Sequence, residues 1–143
     1  MIEVEDALGR RVLLPRTPRR IVSLVPSLTA LLADLGLDEE VVGLTRFCVH
    51  PAGWKQRKRV VGGTKDLRPE RVAELGADLV LANEEENVRA QVEALPAPVY
   101  VTRVRTLEDD LQMVRAVGAL TSRAEQAEAL ARETAAAFAA LPA

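Results

Sequence analysis

The chain has 143 residues, 48% of them hydrophobic and 28% charged, with a formal net charge of -2. That length suits one domain with a real core and is too short for two ordinary ones, and the composition is globular rather than disordered. One cysteine excludes an internal disulfide, no run approaches the roughly 20 apolar residues of a membrane-spanning helix, and the charge balance gives no electrostatic case for nucleic acid or an anionic membrane surface.

The start, "MIEVEDALGR", is acidic and lacks an apolar h-region. As written it reads as cytoplasmic; a processed start would make the protein periplasmic or lipid-anchored instead. "IEV" and "RVLLP" flank "EDALGR" and read as a hairpin or extended arm over residues 1–18. From there strand-like and helix-like segments alternate. "RIVSLV" is a short run of the kind buried on both faces of a parallel sheet. "SLTALLADLG" follows, with Ser27 as its cap, Thr29 in its first turn, and Leu28, Leu31, Leu32 and Leu35 on one face. "EVVGLT" is the second strand, and Val60 and Val61 form a third, very short one. "RPERVAELG" is a helix with Pro69 near its start and Gly76 after its end. "ADLVLAN" is the clearest strand. "EEENVRAQVEAL" reads as a helix with an acidic first turn, and "PVYVTR" as a further strand.

From Thr106 no strand follows. Thr106 and Asp109 form a capping pair for a helix that runs to about Gly118, and Ser122 with Glu125 forms a capping box for the alanine-rich segment after it. The apolar stripe of that last helix, Ala127, Leu130, Thr134, Phe138 and Leu141, is thin, so one side of it is expected to face another partner. The alternation predicts an α/β fold: a three-layer lobe over residues 19–105, with a mainly parallel central sheet flanked by helices. A long backbone helix region follows over residues 106–143, and the chain is expected to stop before whatever that region connects.

In an open parallel sheet, ligands bind beyond the carboxyl ends of the strands. The segments that follow the predicted strands are "PSLT", "RFCVHP", "GGTKD", "EEEN" and "RVR", so all five fall on one rim. "RFCVHP" holds the only cysteine and the only histidine beside one of two phenylalanines. Cys48 has two readings, a small buried hydrophobe or a soft ligand contact. Cys48 and His50 together supply two metal ligands where a structural zinc site needs four. Gly62 and Gly63 either let backbone approach a ligand or form a tight turn. Glu84, Glu85 and Glu86 are either helix N-terminal charge or site carboxylates.

Taken together, "RIVSLVPSLTALLADLGLDEEVVGLT", "VGG", "ERVAELGADLVLAN", "PVYVT" and the helical tail resemble the amino-terminal lobe of class III solute-binding proteins. These are the cobalamin, haem and siderophore receptors of ABC importers, and the cobalamin branch is the nearer likeness. The resemblance implies a binding protein rather than an enzyme, in which two lobes joined by a long helix hold the ligand between them, so that the second lobe is missing from this chain. It implies that Phe47 packs against a corrin-like face, and that Glu70 is the exposed glutamate that docks on permease arginines. Thr64 falls where cobalamin receptors can carry a tryptophan, and Ala30 where the family often has a glutamate.

On this reading Ser27, Thr29, Phe47, Cys48, His50, Thr64, Lys65, Asn83 and Glu84 form the ligand site, with polar orientation from Ser27, Thr29, Lys65 and Asn83. There is no intrinsic cofactor; the cargo is a cobalamin, haem or ferric siderophore that brings its own metal. The expected partners are that chelate, an ABC permease and the second lobe, with no nucleic acid. Two alternatives stand beside it. One is a cytoplasmic chelatase-like enzyme that uses His50 and Glu84 to Glu86; the other is a corrinoid-sensing partner protein.

Overall fold

The computed structural model describes residues 1–142. β1 (Ile2–Glu5) and β2 (Arg11–Leu14) form an antiparallel hairpin in which Ile2 faces Leu14 and Glu5 faces Arg11. Its turn is built on Asp6. The buried Asp6 carboxylate accepts from the backbone N–H groups of Leu8 (3.0 Å) and Arg10 (2.9 Å) and from the Arg10 guanidinium (3.0 Å). The neighbouring Ala7 N–H donates to the Val101 carbonyl at 3.0 Å. The hairpin loop thereby covers what would be a free edge of the main sheet, a site that otherwise invites pairing with other chains.

That main sheet has five strands, β3 (Ile21–Ser23), β4 (Val41–Leu44), β5 (Arg59–Val60), β6 (Leu79–Asn83) and β7 (Val99–Thr102). All pairings are parallel, in the order β5-β4-β3-β6-β7. The helices between them are α1 (Pro26–Asp34), α2 (Trp54–Arg57), α3 (Pro69–Glu74) and α4 (Arg89–Glu93). The chain moves outward from β3 to β5 and then crosses back to β6 beside β3, so the switch point of the sheet lies between β3 and β6. Every residue of β3 and Leu79 to Ala82 of β6 are buried, as a sheet covered on both faces requires.

The two covering layers can be followed side chain by side chain. On one face Val92 of α4 lines one depression with Ala82 and Val101. Alternation along β7 sends Tyr100 and Thr102 to the other face, where they line one depression with Met113 and Ala116. Gly43 in β4 has no room for a side chain, since a Cβ there would meet Leu75 at 2.7 Å. Glycine at that point lets the end of α3 settle directly on the strand.

The chain closes with α5 (Leu107–Leu120) and α6 (Ala124–Ala139). Thr106 caps α5, its hydroxyl accepting from the Asp109 N–H at 3.1 Å, and Leu111, Val114, Val117 and Leu120 form its buried stripe. α6 packs back on α5 through small residues: a Cβ on Gly118 would lie 2.3 Å from that of Ala127. α6 buries only Ala127 and Ala131, with Leu130 and Thr134 half-buried and Phe138 exposed; Leu141, exposed as well, lies just beyond the helix.

Three local expectations are corrected. Ser27 does not cap α1. The cap position is Val25, because Pro26 suits the first helical position and starts the helix ahead of Ser27, which sits exposed in the first turn. Ser122 does not cap α6. It adopts φ +59°, turning the chain between the two helices, and its hydroxyl lies 2.6 Å from that of Thr17, so Arg123 takes the cap position. The helix expected over residues 84–95 is short: α4 starts at Arg89, and the three glutamates stand in the turn before it.

Candidate functional site

The parallel sheet brings the five predicted segments to one rim, at the carboxyl ends of the strands. After β4, the loop carrying Arg46 to His50 is held by its backbone and its first side chain. Arg46 N–H donates to the Gly62 carbonyl (3.0 Å), the Arg46 guanidinium bonds the Asp66 carboxylate (3.0 Å), and the same guanidinium stands 4.9 Å from the centre of the Phe47 ring. That guanidinium holds the Asp66 carboxyl below the usual carboxylate range. With its own neighbours occupied in this way, the loop turns Phe47 (51% exposed), Val49 (58%) and His50 outward. Val104 (40% exposed), just after β7, adds a third apolar side chain open to solvent.

Cys48 lies between these residues in sequence and points the other way. It is fully buried, with its sulfur 3.1 Å from the Thr29 hydroxyl and 3.3 Å from the Thr45 hydroxyl. Thr29 is also fully buried, and its hydroxyl faces the Ser23 hydroxyl (2.8 Å) and the Val25 carbonyl (3.1 Å). Cys48 and Thr29 therefore lie beneath the rim, as polar packing that satisfies itself, and the sequence expectation that they line its surface is corrected. The sulfur and the exposed His50 imidazole do not share an environment, and no group of three or more His, Cys, Asp or Glu converges among the described residues.

The glycine pair after β5 makes a tight turn. Gly62 sits at φ +114° in a bridge to Leu67, and the space where a Gly63 side chain would project is filled by Asp66 and Arg46. Thr64 is half-buried and Lys65 exposed. Lys65 donates to the Glu85 carbonyl at 2.7 Å, which ties this loop to the one after β6.

The loop after β6 is organised by two asparagines that bracket the glutamates. The Asn83 carboxamide oxygen accepts from the N–H groups of Glu85 (2.9 Å) and Glu86 (3.1 Å), an Asx turn that uses the donors a helix would otherwise orient. Its amide donates to the Thr102 hydroxyl (3.2 Å). Asn87 is buried and spans the switch point. Its oxygen accepts from Asn83 N–H (2.9 Å), and its amide reaches the carbonyls of Leu24 (3.3 Å) and Thr64 (3.1 Å). One side chain thus joins the ends of β3 and β6 to the loop after β5. Gln91 adds to the same joint by donating to the Lys65 carbonyl at 3.1 Å.

Glu84 pairs with Arg103 through both carboxylate oxygens, which holds its carboxyl below the usual range. Glu85 faces Arg105 at 3.5 Å. Glu70 is exposed in the first turn of α3, on the rim side of the sheet, and belongs to no ion pair among the described residues. Beside the rim, Ser27, Ala30, Asn83, Val104, Met113 and Leu130 help line a depression of ≈ 350 Å³ between α1, α5 and α6.

Sequence reasoning missed Asn87 and Gln91, which it placed as helix residues, and gave Asp6 and Arg103 no role. The available signal for Asn87 was the Asn-x-x-x-Asn spacing directly after a strand, since asparagine side chains compete for backbone donors where a helix would start.

No protein-family model matches the chain. Over 83 residues, 58% of its length, it is 37% identical to YvrC of Bacillus subtilis, an uncharacterized substrate-binding lipoprotein of an ABC transporter, and covers 26% of that protein. Over 119 residues, 81% of its length, it is 27% identical to the vitamin B12-binding protein of Pectobacterium carotovorum, of which it covers 43%. Among solved structures it superposes on a periplasmic heme-binding protein from Pseudomonas aeruginosa with a TM-score of 0.76 at 26% identity, covering 81% of this chain and 43% of that one. The chain spans less than half the length of each of these relatives. All three are binding proteins.

Proposed function

We propose that this chain, similar to an ABC transporter substrate-binding lipoprotein, a vitamin B12-binding protein and a periplasmic heme-binding protein, is the first lobe of a class III solute-binding receptor for a metal chelate, with a corrinoid the preferred cargo. The observation that carries this reading is the rim itself: Phe47 and Val49 stand open to solvent after β4 and Val104 after β7, with Ser27, His50 and Lys65 exposed along the same rim. Exposed apolar side chains spaced along a rim with a few polar groups among them suit a broad macrocycle or chelate that keeps polar substituents at its margin. The names of two relatives, vitamin B12-binding and heme-binding, support that class of ligand.

In this proposal residues 1–18 are an arm, 19–105 the binding lobe and 106–143 the beginning of the spine that leads to a second lobe. The receptor works outside the cytoplasmic membrane, as a periplasmic or lipid-anchored protein, and Glu70 presents a carboxylate to arginines of a permease. The lobe alone makes about half of the ligand's contacts, so its own affinity is weak.

The test is an absorbance titration of the chain with hydroxocobalamin, haemin and a ferric siderophore, with Phe47→Ala, His50→Ala and Cys48→Ala alongside. A saturable change with hydroxocobalamin is expected, weakened by Phe47→Ala and His50→Ala and unchanged by Cys48→Ala. A change with haemin alone would move the cargo to a porphyrin. No saturable change up to roughly millimolar ligand, equivalent to about 4 kcal/mol of binding, would remove the receptor reading.

A further inference from the structure

The opposite edge of the sheet carries a basic segment. Between Gly9 and Arg20 the chain reads "GRRVLLPRTPRR", five arginines with no acidic residue, inside a protein whose overall balance is slightly negative. Arg10 and Arg11 are consumed within the hairpin by Asp6 and Glu3. Arg16, Arg19 and Arg20 are exposed and form no ion pair among the described residues, whereas Arg59 and Arg123 elsewhere pair with Glu74 and Glu40. These three arginines, with Gly76 and Asp78, line a depression of ≈ 410 Å³. Arg20 immediately precedes β3, so the depression lies at the amino ends of the strands, away from the ligand rim.

The segment that presents them is fixed. Pro15 and Pro18 restrict its backbone, and the Thr17 hydroxyl lies 2.6 Å from that of Ser122. The two Asp78 carboxylate oxygens accept the N–H groups of Arg19 and Arg20, each at 2.9 Å. Each Asp78 oxygen is thereby engaged by one backbone N–H, and the carboxylate offsets one of three positive charges. The Arg20 Nε donates to the Leu75 carbonyl, which sets the direction of that side chain. Three guanidinium groups on a fixed segment, with one carboxylate among them, leave a net positive cluster that matches a tetrahedral oxyanion, whose oxygens accept from several planar donors at once.

We propose that Arg16, Arg19 and Arg20 form a binding site for a phosphate-class oxyanion, either free phosphate or the phosphate of a lipid headgroup. The site is independent of whatever the rim binds. The test measures binding of inorganic phosphate by calorimetry, and of phosphatidylcholine vesicles with and without phosphatidylglycerol by co-sedimentation, near physiological salt, where screening acts beyond about 8 Å. Two double variants are compared with the unaltered chain, Arg16→Gln/Arg19→Gln at the site and Arg59→Gln/Arg132→Gln away from it. The site pair should weaken binding about tenfold or more, the loss expected when charge-assisted hydrogen bonds are removed, while the distant pair leaves it within about twofold. Binding of inorganic phosphate assigns the site to a free anion, and binding only to phosphatidylglycerol vesicles assigns it to a headgroup. The proposal falls if neither probe binds, or if the two double variants weaken binding equally, which would reduce the effect to net charge. Thermal unfolding of each variant shows that the fold is intact, since none of the four arginines is buried.

Discussion

The two halves of the rim are built on opposite plans. On the β4 and β5 side, the loop backbone is fixed by Gly62 and by the Arg46–Asp66 pair, and the side chains that follow are left free: Phe47, Val49 and His50 all face solvent. On the β6 and β7 side almost every polar side chain is spent on the protein itself. Asn83 and Asn87 bind backbone, Glu84 is taken by Arg103, and Lys65 reaches across to the Glu85 carbonyl. On the proposed reading the first half offers contact surface, while the second holds the crevice at the switch point in one shape. A binding surface made of loops needs such a division, because a contact residue on an unfixed loop must be ordered at the expense of affinity.

The largest effect is expected where the fixed half is cut. Asn87→Ala removes an acceptor for Asn83 N–H and a donor to two carbonyls at a buried site. It should cost about 3 kcal/mol and lower Tm by roughly 6–12 °C for a chain of this size, measured by thermal unfolding. If Tm does not move, the Asn87 joint does not hold the loops together and the division fails. Phe47→Ala tests the other half. It should leave stability within about 0.5 kcal/mol, since the ring is half exposed, and weaken ligand binding roughly tenfold through lost apolar contact. A fall in Tm with unchanged affinity would mean that Phe47 belongs to the framework. Cys48→Ala is the intermediate case: about 1 kcal/mol of stability from a small buried group, with no change in the ligand titration.

Much of this plan was legible in the sequence, for reasons that differ from residue to residue. The parallel sheet and its rim followed from short runs such as "RIVSLV" and "ADLVLAN" alternating with helical spacing, because burial on both faces leaves a compositional mark. Within the rim, the outward turn of Phe47 and the inward turn of Cys48 left no mark. A loop has no period, so which neighbour faces the core depends on contacts from distant residues, here Thr29 and Thr45. The glutamates after β6 were read as a helix start because charge there suits a helix dipole. The two asparagines that bracket them offer the backbone a different set of hydrogen bonds, and those bonds won. Ser122 failed in the same way, since its place between two helices required a positive φ rather than a cap.

The smallest effect should come from the Glu84–Arg103 pair, and it separates charge from geometry in the fixed half. Arg103 holds the Glu84 carboxyl below its ordinary value of 4.5, so the folded protein binds fewer protons at this site than the unfolded chain. The stabilisation is then complete above about pH 4.5 and is lost as the pH falls through the depressed value. Arg103 stays charged throughout that range, so the change belongs to Glu84 alone. Both side chains are about one-third exposed, which keeps the effect small. Asp38, Asp66, Glu93 and Glu128 are lowered by basic partners as well, but they titrate identically in a Glu84→Gln variant and cancel in the comparison. The unaltered chain should therefore unfold at a slightly higher temperature than Glu84→Gln at pH 7, and the gap should narrow as the pH falls through the depressed value. A gap that does not narrow as the pH falls, down to the acid limit of the folded state, would show that the glutamine disturbs the turn rather than removing a charge. No gap at pH 7 would mean that water screens the pair, leaving the asparagines alone to fix this half of the rim.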